Sequence, residues 1–195
     1  MSRPNRFEVL SGANRIWMVS SIHGDLSRLV AIHDVINTHF QPGDRLVYLG
    51  NFMGFGEQTG DVMDEMVAFR RHIMGRFILF PHDIAYLRGA QEEMLERALQ
   101  LHFAKSPPSV LAWMLDHGLE GTLTAYGSSG REAAKFARMS VSEIANYTVG
   151  LRAAIRSMPG HYSLIMALNR ASYDDAHTFL FTHAGVDPNL SLDRQ

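Results

Sequence analysis

Polar side chains that could do chemistry cluster in four short, glycine-containing segments, each of which follows or ends an apolar run. The segments are Ser21-Ile22-His23-Gly24, Gly50-Asn51-Phe52-Met53-Gly54-Phe55-Gly56, Leu87-Arg88-Gly89-Ala90-Gln91-Glu92 and Phe181-Thr182-His183-Ala184-Gly185. Imidazoles such as those of His23 and His183, and amide oxygens such as that of Asn51, are groups that can ligate a divalent ion such as Mn, Fe, Zn or Ni. No residue is an equally clear nucleophile or general acid.

Composition narrows the function classes. The chain has 195 residues, a formal net charge of -2 and 0 Cys. The size suits one domain, residues 1–195. The missing cysteines exclude disulfides, thiolate zinc sites and a cysteine nucleophile. No basic stripe points to nucleic acid, and no apolar run is long enough for a membrane helix or a secretory signal, so we expect a cytoplasmic protein.

The spacing of apolar residues predicts the elements that position these segments. Residues 16–20 are predicted as a buried central strand, followed by a helix with Asp25 as its N-cap and a strand over 45–50. This β-α-β order is typical of a parallel sheet. A second helix is predicted over residues 61–74, and a third strand region over 77–80 and 84–87. Met63, Met66 and Met94 are predicted in the core.

The later part of the chain is predicted to begin with a mainly helical insertion over residues 91–158. Within it, residues 118–130 are predicted as a loop, and Ser140 to Glu143 has the spacing of a capping box. Residues 162–168 and 177–181 are predicted as the strands of a hairpin. His33 and the other scattered histidines are expected on helix surfaces or in loops, and His161 in a loop.

The four segments resemble, in order and spacing, the motifs of the calcineurin-like metallophosphatases, and most closely the serine/threonine phosphoprotein phosphatase branch in its bacterial form. In chain order they match the family motifs Asp-x-His-Gly, Gly-Asp-x-x-Asp-Arg-Gly and Leu-Arg-Gly-Asn-His-Glu, and then the sequence around a later histidine ligand. The resemblance implies an α/β/β/α sandwich with a helical insertion, and we expect this sandwich to be incomplete at its C-terminus. It also implies hydrolysis of phosphoric esters at two metal ions.

Several of the family's functional positions are substituted here. Ser21 lies at the position of an aspartate ligand, Asn51 at that of the bridging aspartate and Ala90 at that of an asparagine ligand. Without carboxylates in these places, two dications would repel each other unscreened. The resemblance therefore implies at most one weakly held metal ion, on His23, Asn51 and His183.

The groups that would act on the substrate are substituted as well. Gln91 lies at the position of the general acid histidine, with Gly54 at that of its aspartate partner. Phe55 replaces the arginine that holds the substrate phosphate, and we expect it to fill the pocket. Arg88 and Glu92 are retained.

Three functional hypotheses follow. The first is a pseudophosphatase that binds a protein or a phosphorylated ligand without hydrolysing it. The second is an altered phosphoesterase with one metal ion, and the third is a structural or dimerisation module with an empty pocket. Active relatives place a further histidine motif beyond the position of Gln195. We therefore expect an incomplete second sheet whose open edge favours a homodimer.

Overall fold

The predicted β-α-β unit is present in the computed structural model, which describes residues 7–194. Strands β2 (Arg15–Val19) and β3 (Asp44–Tyr48) pair in parallel, and α1 (Leu26–His39) connects them. The side chain of Asp25 accepts a hydrogen bond from the backbone N–H of Arg28, so Asp25 is the N-cap of α1.

The first sheet has three parallel strands in the order β2-β3-β4, where β4 spans Ile84–Tyr86. The prediction that residues 16–20 form a buried central strand is wrong, because β3 takes the centre and β2 lies at the edge. Met18 of β2 is accordingly 61% exposed. An apolar run of five residues does not distinguish an edge strand from a central one.

The second sheet has the order β1-β5-β6. Strand β1 (Phe7–Leu10) is parallel to β5 (Ala171–Asp174), which forms an antiparallel hairpin with β6 (Leu180–Thr182). A hairpin was predicted here, but its strands were misplaced. Residues 161–166 form helix α8 (His161–Met166) instead of a strand, starting after Gly160 at φ 87°.

The two sheets pack face to face through an apolar cluster of Leu10, Val47, Ala85, Leu87 and Phe181. A larger apolar core lies between the first sheet and the helices. Met63, Met66 and Met94 are buried in that core, as predicted, with exposed fractions of 0%, 0% and 4%. The predicted α/β sandwich is confirmed, since layers of helix, sheet and sheet share these two cores.

Helices occupy most of the remaining chain. They are α2 (Thr59–Phe77), α3 (Ala90–Ala98), α4 (Pro107–Asp116), α5 (Leu119–Ala125), α6 (Gly130–Phe136) and α7 (Val141–Ser157). The predicted loop over 118–130 is largely α5. The predicted strand over 77–80 is the end of α2 and the turn before the 3-10 segment Pro81–Asp83. The predicted capping box is confirmed, with Ser140 accepting from the N–H of Glu143. Within residues 7–194, no helix combines the length and apolarity needed to span a membrane.

Candidate functional site

The loop after β2 and the loop after β3 are joined by backbone hydrogen bonds. The N–H groups of Ile22 and His23 both donate to the carbonyl oxygen of Asn51, each at 2.9 Å, and the N–H of Gly24 donates to Phe52 at 2.8 Å. His23 and Asn51 both adopt positive φ angles, 55° and 57°. The fold thus brings the first and second motifs into direct contact.

Glu92 holds the second and third motifs together. Its carboxylate accepts hydrogen bonds from the backbone N–H groups of Asn51 at 2.8 Å, Phe52 at 2.8 Å and Gly89 at 2.9 Å. Glu92 is only 3% exposed, so these donors offset the cost of burying its charge. Glu92 is therefore a positioning residue for Asn51 and for the start of α3.

Asn51 and His183 meet around Gly89. A Cβ atom built on Gly89 would lie 2.4 Å from Oδ1 of Asn51 and 2.8 Å from Cε1 of His183, so only glycine fits there. Oδ1 of Asn51 also accepts a hydrogen bond from the N–H of Gln91 at 3.0 Å. The predicted ligands from the second and fourth motifs are neighbours in the folded chain.

The tautomer of His183 follows from its partner. Nδ1 of His183 lies 2.7 Å from the carbonyl oxygen of Leu49. A carbonyl can only accept, so Nδ1 must carry the proton when the ring is neutral, and Nε2 then carries a lone pair. This is the arrangement in which a histidine ligates a metal ion through Nε2.

The imidazole of His23 meets the ring of Phe55 edge to face, with 5.3 Å between ring centroids. Its Nδ1 atom is buried and has no hydrogen-bond partner among residues 7–194. Ser21 is partly buried, whereas Ala90 is exposed at the start of α3. Ser21 and Ala90, at two positions where the resemblance implies lost ligands, thus offer one hydroxyl and one methyl group.

Gln91 occupies the place where the resemblance puts a general acid. It is 3% exposed, and its Nε2 donates to the carbonyl oxygen of His117 at 2.8 Å. A Cβ atom on Gly54 would lie 2.0 Å from Oε1 of Gln91, so the glutamine amide fills the space beside Gly54. The side chain is held as a packing and hydrogen-bonding group.

Phe55 does not fill the pocket as predicted. It is 63% exposed, and its ring lies against Gly118, where a built Cβ atom would be 2.8 Å away. Its N–H donates to the carbonyl oxygen of Gly118 at 2.9 Å. The Phe55 ring thus lies outside the space that Gln91 fills next to Gly54, and it contacts the ring of His23 in a T-shaped arrangement.

A cavity of about 290 Å³ opens beside His183. Its charged lining comes from Arg88, Arg170 and Glu93, and Ala90 lies in its wall. Arg88 is paired with Glu96 at 2.7 Å and lies 3.7 Å from Glu93. The sequence analysis did not identify Arg170, because this residue lies outside all four motifs. It is placed at the cavity by its position directly before β5.

The donor chemistry does not fit a binuclear metal centre. In the part of the chain covering residues 7–194, no three histidine, aspartate or glutamate side chains are placed to hold a metal ion. His23, Asn51 and His183 supply two imidazoles and one amide, and none of these brings negative charge. Two dications held close together require carboxylates between them.

His33 was expected on a helix surface, and the structure corrects this. It is 2% exposed, stacks on Phe69 at 3.7 Å and places its two ring nitrogens 2.6 Å from Glu65 and 2.8 Å from the Tyr48 hydroxyl. Its spacing from Leu29 and Ile36 puts all three on one helical face, a periodic signal that could have placed it in the core.

His161 was expected in a loop as an ordinary polar residue, which is also wrong. It begins α8, is 0% exposed and lies 2.9 Å from Asp64. No local pattern predicts this, because the two partners are far apart in the chain. Both buried histidines thus pair with neighbouring acidic residues of α2, and they serve packing between helices.

Comparison with known proteins gave matches among solved structures. No family model matches the chain, and no curated protein matches it. Among solved structures, 48 chains match. One is the "Crystal structure of a putative diadenosine tetraphosphatase", with 16% sequence identity and a TM-score of 0.45. The match covers 96% of this chain and 59% of that one, so the chain spans about three fifths of the length of that structure.

Proposed function

We propose that this chain is a metallophosphatase-like protein that binds a phosphorylated ligand and does not hydrolyse it. The observation that carries this proposal is the cavity beside His183, whose wall contains two arginines and one glutamate. A guanidinium group binds phosphate through paired, charge-assisted hydrogen bonds. The cavity volume of about 290 Å³ suits a phosphoryl group with a short attachment.

Loss of turnover follows from the groups that surround Asn51. Gln91 cannot donate a proton to a leaving alkoxide at a useful pKa, and its amide is held by the His117 carbonyl. The donors His23, Asn51 and His183 bring no charge to balance two metal ions. Binding and hydrolysis are therefore separated in this proposal, since Arg88 and Arg170 line the cavity while the positions of the general acid and of the carboxylate ligands carry other residues.

The test measures, by calorimetry, the affinity of the full chain for three ligands. These are inorganic phosphate, a phosphoserine peptide and the same peptide without phosphate. The phosphorylated peptide should bind at least about tenfold more tightly than its unmodified form, the effect of one charged hydrogen bond. Arg170→Gln should remove that preference, whereas Arg131→Gln on the exposed face of α6 is the matched control. Equal binding of the two peptides contradicts the proposal, and release of phosphate contradicts the loss of turnover.

A second candidate is a phosphoesterase that uses one metal ion on His23, Asn51 and His183. The hydrogen bond between Nδ1 of His183 and Leu49 favours it, because it leaves Nε2 available as a ligand. Metal analysis after incubation with Mn, Fe, Zn and Ni distinguishes the two candidates. One tightly bound ion per chain, together with turnover of an aryl phosphate, would support this candidate over the first.

A third candidate is a dimerisation module that pairs through β6. This strand lies at the edge of its sheet, and the neighbouring side chains of Phe179 and Leu180 are 60% and 47% exposed. An exposed apolar edge strand is a template for pairing with a second copy. Light scattering tests this: Leu180→Lys should give monomer, whereas Val149→Lys, a change at an exposed valine of α7, should leave a dimer. A wild-type monomer at high concentration would exclude it.

A further inference from the structure

A second cavity, of about 510 Å³, lies between α3, α7 and α8. Its apolar wall includes Leu99, Ile155 and Ile165. It shares no lining residue with the cavity beside His183. Its volume lies within the range of about 300–1,000 Å³ that is typical of small-molecule sites. This space is therefore large enough to hold a ligand independently of the proposed phosphate site.

The cavity carries an excess of positive charge. Arg152 and Arg156 both line it, and neither forms an ion pair with any residue in the described range 7–194. The single acidic residue in the lining, Glu96, is paired with Arg88 at 2.7 Å, so its charge is already matched. An anion would consequently meet two arginines, while the carboxylate of Glu96 in the same lining is engaged by Arg88.

Each of the two arginines makes one contact beside the cavity. Arg152 donates a hydrogen bond to the carbonyl oxygen of Leu99 at the end of α3. The guanidinium of Arg156 lies over the ring of Tyr162, 5.0 Å from its centroid. A guanidinium has five N–H donors, so each arginine keeps donors for a ligand. These contacts favour positions of both guanidinium groups beside the cavity, which lowers the ordering cost of binding an anion.

Aromatic surface completes the site. Phe103 lines the cavity and is 78% exposed, and Tyr162 lines it and is 39% exposed. Both rings offer faces or edges for stacking, and aromatic pairs contribute roughly 0.5–1.5 kcal/mol beyond their buried area. Arginines beside aromatic rings and apolar walls complement a ligand that is flat, aromatic and negatively charged.

We propose that this cavity is a binding site for a small aromatic carboxylate. The carboxylate binds the guanidinium of Arg156, with Arg152 as its second donor, and the aromatic ring packs between Phe103, Tyr162 and the apolar wall. The site is separate from the proposed phosphate site, and the inference does not depend on it. No covalent step is involved, only recognition of charge and shape.

Calorimetric titration of the full chain with 1-naphthoate and with its neutral counterpart, 1-naphthalenemethanol, tests the proposal. The carboxylate should bind at least about tenfold more tightly, the effect of one charge-assisted pair. Arg156→Gln should abolish this preference, and Phe103→Ala should weaken both ligands. Arg131→Gln, which removes the same charge from α6, is the matched control.

Each alternative result counts against the site. Equal affinity for the two ligands would show that the arginines do not select an anion. An equal loss in Arg156→Gln and Arg131→Gln would show only a general charge effect. Absence of saturable naphthoate binding at millimolar concentration would overturn the proposal outright. Since Phe103 and Arg156 are exposed side chains, neither variant should impair folding, and a thermal melt checks this.

Discussion

The amide of Gln91 occupies the space that a side chain on Gly54 would need. A Cβ atom at Gly54 would lie 2.0 Å from Oε1 of Gln91, and the backbone at Gly54 has φ +80°. By the resemblance, these two positions correspond to a general acid histidine and its aspartate partner. The two substitutions are thus sterically coupled, because a larger residue at either position would require a change at the other.

Gly54→Ala should lower the free energy of unfolding by about 1–3 kcal/mol more than Gly127→Ala. Gly127 is the matched control, since it also has positive φ, at +75°, but no atom within 4 Å of a built Cβ. Urea unfolding measures both. Gly54→Ala combined with Gln91→Ala should cost about 1 kcal/mol less than the sum of the single changes. Full additivity would contradict the steric coupling.

Glu92→Gln should destabilise the chain by about 2–4 kcal/mol, because the new amide group would face backbone N–H donors that now bind a carboxylate oxygen. Three of these donors belong to Asn51, Phe52 and Gly89. Glu93→Gln is the control. Glu93 is 46% exposed at its side chain and lies 3.7 Å from Arg88, so its change should cost under about 1 kcal/mol. Similar losses in both variants would show that Glu92 does not organise the loops.

Stability should fall as the solution is acidified, in part through His33. Burial lowers the pKa of His33 from its ordinary value of 6.5, although the nearby Glu65 carboxylate acts in the opposite direction. Below about pH 6.5 the unfolded chain therefore binds a proton that the folded chain does not, and the free energy of unfolding decreases. Above that pH both states are neutral at this residue, and its contribution is constant.

Measurements of the free energy of unfolding from about pH 7.5 to about pH 5.5 check this expectation, since this range brackets the ordinary pKa of a histidine. His33→Gln should flatten the decrease in stability on acidification, even though it lowers stability at every pH. His72→Gln, a change at an exposed histidine of α2, is the matched control. Identical profiles for the two variants would assign the pH dependence to other groups.

Restoring ligand types should raise metal affinity. The triple variant Ser21→Asp, Asn51→Asp and Ala90→Asn places two carboxylates and one amide around the retained histidines. Asn51 has φ 57°, a backbone conformation that aspartate also tolerates, so the fold should be retained. Calorimetry with Mn²⁺ should show binding at least about tenfold tighter than wild type. Unchanged affinity would mean that the loops do not converge on one metal position.

Much of the site could be predicted from local sequence. The pattern of glycine-bounded loops after apolar runs predicted that the motifs lie at strand ends, and this is confirmed. In the fold, Asn51 and His183 then lie close together around Gly89. The cap at Asp25 and the capping box at Ser140 were also predictable. Each of these features depends on residues close in the chain or on a backbone angle that few residue types adopt.

Other features depended on partners that are distant in sequence. Whether β2 lies at the centre or at the edge of its sheet depends on strand order, and a five-residue apolar run does not encode that order. His161 is buried because the fold brings α8 against Asp64 of α2. Arg170 reaches the cavity beside His183 because it directly precedes β5, the central strand of the second sheet.

The opening motif shows the same division between sequence and tertiary structure. Residue type alone shows that the loop Ser21-Ile22-His23-Gly24 lacks a carboxylate. What fills the neighbouring space depends on the folded arrangement, in which Gln91 packs against Gly54 and Phe55 lies outside against Gly118. The reason is that packing depends on steric fit between side chains that are distant in sequence, which local patterns of residue type do not predict.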